Sequence, residues 1–160
     1  MDRTGIGEIL LAVSLGGLLA ATTVTDVNRR LIPNVYLGIG SLICLGIVLA
    51  TDAGSLGERA LAALGAACIL LVPAVINPDG MGMGDVKLAA VLGLYMGRAV
   101  VVALVAGFAA GGLVAVALLA RHGPSARGRP IPFGPFLALG GVIGVLVGDA
   151  ALGWYGDKFL

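Results

Sequence analysis

The chain has 160 residues, 59% of them hydrophobic and only 12% charged, with a net charge of +1 and a mean hydropathy of +1.06. So apolar a composition exceeds what a soluble domain of this length can bury, and the net charge of +1 says nothing useful about nucleic acid, which is not expected as a partner. The sequence is that of an all-α integral membrane protein forming one domain over residues 1–160, because lipid forces each backbone group to find its partner inside its own segment. Cys44 and Cys68 lie inside apolar runs. They behave as small core residues and imply no disulfide framework.

The first apolar run covers 9–25. A cleaved signal peptide is disfavoured: Glu8 interrupts the start, and the basic pair Arg29-Arg30 follows the run instead of preceding it. Glu8 reads as a structural residue near the outer end of a retained first span. Asp26 sits where this span meets the basic loop. It is either a functional intramembrane acid or an interfacial charge paired with Arg29 or Arg30. Pro33 stops the helix and is suited to start the next one in its first turn.

A second span covers 31–51, a short polar turn follows around Glu58 and Arg59, and a third span covers 60–78. The polar stretch at 77–87 comes next. Gly80, Gly82 and Gly84 alternate there with Met81 and Met83 before Asp85. Glycine lets the backbone turn and lets another chain approach closely. Asp85 is either a functional carboxylate or the N-cap of the next helix. Two spans separate Asp26 from Asp85, so both face the same side of the membrane.

Residues 86–97 carry Lys87 as their one charge. A helix of that length rises only ~18 Å against a bilayer core of ~30 Å, so it is either a short span or re-entrant. A further span covers 99–120, a loop at 121–129 holds Arg121, His122, Arg127 and Arg129, and a last run covers 130–148. His122 reads as a solvated loop residue. If 86–97 crosses, the side with both aspartates holds Arg29, Arg30, Lys87, Arg121, Arg127 and Arg129 against four basic residues opposite. If it does not cross, the charges divide evenly. The excess of positive charge therefore favours six transmembrane helices, the fourth short, with both aspartates cytoplasmic. Glycines spaced four apart, such as Gly93 with Gly97 and Gly140 with Gly144, suit close helix packing. That packing is either within the bundle, which six short helices already require, or across a homodimer.

Three stretches carry a resemblance. Asp26-Val-Asn-Arg-Arg-Leu-Ile-Pro-Asn34 resembles the first catalytic motif of the prepilin peptidases, and Gly82-Met-Gly-Asp-Val-Lys87 resembles their second, Gly-x-Gly-Asp-x-Lys. Pro132-Phe-Gly-Pro-Phe136 resembles a stretch at the start of that family's last helix. The Gly-x-Gly-Asp motif is also similar to that of archaeal preflagellin peptidases and, more remotely, of presenilins. The resemblance implies a multi-pass aspartic endopeptidase of the bacterial inner membrane, with catalytic Asp26 and Asp85 at its cytoplasmic edge. Pro33, Asn34, Gly82, Gly84 and Lys87 would bind or position the substrate. That substrate would be a prepilin-like membrane protein whose short basic leader is removed ahead of its apolar helix.

The chemistry suits two carboxylates without help from a metal, nucleotide or other cofactor. Like charges a few ångströms apart do not both ionise easily, so such a pair shares one proton and titrates as a unit. One member takes a proton from the attacking water while the other polarises the peptide carbonyl. Lys87 would either bias this pair or extend to lipid head groups. The glycines would leave room for a substrate backbone beside Asp85. Two other readings remain: a small transporter whose acids bind a cation, and a non-catalytic membrane subunit. Transporter sites usually lie near the midplane between repeated halves, and no repeat is evident here. Many prepilin peptidases carry an added N-terminal region with paired Cys-x-x-Cys motifs that accompanies N-methylation. The sequence lacks those motifs, so cleavage without a methyltransferase domain is expected.

Overall fold

The computed structural model describes residues 3–76, 81–123 and 132–159. Among them every regular element is helical: α1 Arg3–Arg29, α2 Asn34–Thr51, α3 Leu56–Ile76, α4 Met83–Met96, α5 Val100–His122 and α6 Gly134–Phe159. Single 3-10 turns at Ala53–Ser55 and Gly97–Ala99 join α2 to α3 and α4 to α5. Five helical stretches are long and apolar enough to cross a membrane, Met83–His122 being counted as one of them. Residues 77–80 of the glycine-rich stretch, and Arg127, Arg129 and Pro130 after α5, lie outside the described residues.

The helices sort by where their apolar side chains go. On the long helices many point outward: Leu42, Leu61, Leu113 and Leu146 are each more than 70% exposed. An exposed apolar surface this extensive suits lipid, not water. α4 is different. Asp85, Val86, Leu88, Ala89, Val91, Leu92, Gly93 and Tyr95 are all buried, so most of its apolar residues after Met83 are covered. A helix apolar all round belongs at the centre of a bundle, and α4 contacts each of the other five helices.

Small residues let the neighbours close in. A Cβ added at Gly93 would lie 2.5 Å from the backbone of Ala63, so α3 and α4 touch main chain to main chain. Gly107 meets Phe136 and Leu137, while Gly144 and Gly148 meet Ala103 and Ala99, which fixes α6 antiparallel to α5. The four-residue glycine spacing thus serves packing within the chain.

The ends of α4 are fixed by charge and hydrogen bonds. At its C-terminus the Arg59 guanidinium, from the first turn of α3, donates through Nη1 to the carbonyls of Leu94 and Tyr95 and through Nε to Ser55 Oγ. A cation there satisfies last-turn carbonyls and opposes the helix dipole. Gly97 then takes φ +57°, a left-handed conformation that ends the helix. The Tyr95 hydroxyl donates to Gly40 O at 2.9 Å and ties α4 to α2.

Candidate active site

Asp26 lies in the last turn of α1, one turn beyond Thr22. The Thr22 hydroxyl donates to Leu18 O and Leu19 O, so its polarity is spent within the helix. Arg30 follows the helix at φ +50°, a left-handed residue that turns the chain sharply after Asp26. Pro33 is the residue before α2 and Asn34 its first, one position later than the expected proline start.

Asp85 lies in the first turn of α4, three residues after Gly82. It is not the N-cap; Gly82 is. The two residues exchange hydrogen bonds. Asp85 N–H donates to Gly82 O at 3.1 Å, and Gly82 N–H donates to Asp85 Oδ2 at 3.2 Å. A carboxylate suits this helix end, where unpaired N–H groups gather.

Both aspartates are 7% exposed, and with Thr22 they make up the buried polar or charged side chains among the described residues. The fold brings the helices that carry them, α1 and α4, into contact. Among the described residues no ion pair reaches either one. Arg98 pairs with Glu58, 3.7 Å apart and exposed, and Arg29 and Arg30 are exposed. The pairing of Asp26 with its neighbouring arginines, one of the two sequence readings, is therefore not formed.

Each carboxylate is held instead by one backbone amide. Gly134 N–H, at the start of α6, donates to Asp26 Oδ2 at 3.0 Å, and Gly82 N–H holds Asp85 Oδ2. Asp85 Oδ1 is buried and has no hydrogen-bond partner among the described residues. An unsatisfied buried carboxylate oxygen is costly.

The remaining residues singled out from sequence lie at the starts of α2 and α4. Lys87 Nζ donates to Asn34 Oδ1 at 2.9 Å, linking the two motifs. A Cβ on Gly84 would come 3.1 Å from Ile32 Cβ, so this glycine admits the first motif's isoleucine and is filled by it. Phe133 stacks between Phe108 and Phe136, with ring centroids 5.2 and 6.3 Å away, and anchors the chain ahead of Gly134. The sequence reading gave no residue of 132–136 a role. A glycine followed by proline at the start of an apolar run was the signal for a helix start built there.

The model of the type IV leader peptidase family matches residues 13–116. The chain is 33% identical over 165 residues to the prepilin leader peptidase/N-methyltransferase of Aeromonas hydrophila, covering 94% of this chain and 54% of that protein. It is 32% identical to the Bacillus subtilis protein of the same name, covering 96% of this chain and 62% of the relative. The Pseudomonas aeruginosa protein is also 32% identical, over 83% of this chain and 47% of the relative. The chain thus spans about half the length of the curated relatives it matches. No solved structure matches it. With a family match over most of its length, joining both aspartate motifs in one alignment, the chain belongs to the type IV leader peptidase family.

Proposed function

We propose that this chain is an aspartic endopeptidase that removes the short leader of prepilin-like membrane proteins, with Asp26 and Asp85 as the catalytic pair. The observation that carries this reading is the burial of two carboxylates on contacting helices, each held by a glycine N–H. Such a pair holds one proton in the pH range between its two apparent pKa values. Its ionised member accepts a proton from water as the water oxygen attacks the scissile carbonyl carbon. Its protonated member donates to the carbonyl oxygen. Collapse of the resulting gem-diol breaks the C–N bond: one carboxyl donates its proton to the departing amine while the other carboxylate takes a proton from a gem-diol hydroxyl as the new carboxyl C=O forms. The sequence of steps regenerates the singly protonated pair and needs no cofactor.

In this reading the bundle crosses the bacterial inner membrane six times, with α4 as the short fourth crossing and the aspartates at the cytoplasmic edge. The antiparallel run of α4 beside α3, ending at Arg59 near the start of α3, supports that arrangement. A rise of 1.5 Å per residue gives α4 about 21 Å, which suits a locally thinned bilayer. Pro33, Asn34, Gly82, Gly84 and Lys87 shape the ground beside the pair, where the leader junction of a substrate helix would lie. Peptidase chemistry alone is carried over from the relatives' names.

The test is incubation of the purified chain in lipid bilayers with a recombinant prepilin bearing a basic leader, followed by the mass of the product. A single cut between leader and apolar helix supports the reading. An uncut prepilin, with cation flux through the same bilayers, would support a transporter instead.

A further inference from the structure

The first turn of α6 has an unusual inventory of donors. Phe136 N–H and Leu137 N–H both donate to Phe133 O, at 3.0 and 3.1 Å. Pro135 has no N–H. Gly134 N–H is therefore the one unspent donor of that turn, and it points at Asp26 Oδ2, 3.0 Å away across 108 residues of chain. The approach is as close as a main chain allows: a Cβ on Gly134 would lie 2.6 Å from Oδ2 and 3.1 Å from the carboxylate carbon. The phenyl ring of Phe133, set against Phe108 on α5, holds this turn in place.

We infer that Gly134 is a positioning residue for Asp26: α6 uses its single free N-terminal amide to fix the carboxylate of another helix, and Pro135 keeps that turn from offering a second donor. This rests on the catalytic pairing of Asp26 with Asp85 proposed above. It extends that pairing by giving the two acids matching supports. Each has its Oδ2 tied to a glycine N–H at a helix start, Gly134 for Asp26 and Gly82 for Asp85. The Oδ1 atoms are then left for water and substrate. A hydrogen bond to an ionised group is among the stronger ones, and a helix start adds the favourable end of its dipole. Holding Asp26 in one orientation is the kind of preorganisation on which acid–base catalysis depends.

The test separates the donor from the space. Replacing Gly134 by glycolic acid turns its N–H into an ester oxygen and adds no atom. Gly134→Ala keeps the N–H but drives a methyl group into Asp26. Gly112→Ala, where an added Cβ meets nothing within 4 Å, is the control. Cleavage of a recombinant prepilin in bilayers is measured as kcat and KM, with a thermal melt of each variant. The ester should lower kcat by about tenfold or more, the loss expected of one hydrogen bond to a charged group, with KM and melting temperature close to those of the unmodified chain. Gly134→Ala should lose more, and Gly112→Ala nothing. In Asp26→Asn the ester should cause no further loss. An ester variant with undiminished kcat, or one that loses only melting temperature, would overturn the inference. If Asp26→Asn itself cleaves normally, the pairing beneath it fails instead, whatever the ester does.

Discussion

The Lys87 ammonium donates a 2.9 Å hydrogen bond to the side-chain carbonyl of Asn34, joining the first turn of α4 to the first residue of α2. Each residue closes an aspartate motif, so the bond latches the two motifs at their exposed rim. A lysine that could have extended to lipid head groups is used as a cross-link instead.

Breaking this latch should cost activity more than stability. Lys87→Met and Asn34→Ala should each lower kcat/KM by about three- to tenfold, as one exposed hydrogen bond to a charged group is worth about 1 kcal/mol. The double variant should be no worse than the weaker single one, since both remove the same contact. Kinetics of the four proteins check this, and additive losses would show that the residues act separately.

Packing at the bundle centre should be far less tolerant. Gly93→Ala forces a methyl group into the Ala63 backbone and should destabilise the fold by about 1–3 kcal/mol. Gly16→Ala, whose new Cβ meets nothing within 4 Å, should stay within about 1 kcal/mol of the parent. Thermal melts in the same detergent measure both.

Arg59 gives a way to separate stability from chemistry. It caps the end of α4 opposite to Asp85. Arg59→Met leaves the Leu94 and Tyr95 carbonyls without that donor and should cost about 1–3 kcal/mol of stability. Below its melting temperature, the variant should cleave with a kcat within about twofold of the parent, because one missing cap at the far end of α4 leaves the carboxylates in place.

The pH dependence of cleavage should be bell-shaped. On the acid side both carboxylates are protonated and no base remains to activate water. On the alkaline side both are ionised and no acid remains for the carbonyl oxygen, so the rate falls in each direction. The two apparent pKa values belong to the pair. A rate profile from acid to alkaline pH, with folding monitored at each point, checks this; a flat profile would contradict proton sharing.

What could be read from the sequence was what local chemistry carries. The apolar runs placed the helices, with shifts at their ends. α4 starts at Met83 instead of residue 86, because Gly82 and not Asp85 caps it, and α6 continues past Asp149 to Phe159. A helix has no reason to stop at one acid that can reach water. Asp26 and Asp85 stood out because carboxylates beside apolar helices are costly. The contacts that hold them did not. Gly134 meets Asp26 across 108 residues, and Arg59 reaches α4 across 35 and 36. Only the packing of helices brings these groups together. The central position of α4 did leave a trace, in apolar residues spread around its whole circumference, where its length alone suggested a helix of uncertain course.

The most direct measurement of the central claim is prepilin cleavage by Asp26→Asn and Asp85→Asn, each reconstituted beside the parent chain and melted to confirm its fold. Each variant should insert and fold, since removing one of two crowded charges relieves repulsion. Each should lose cleavage by about a hundredfold or more, because one carboxylate cannot serve as both base and acid. Full activity in either folded variant would contradict the account.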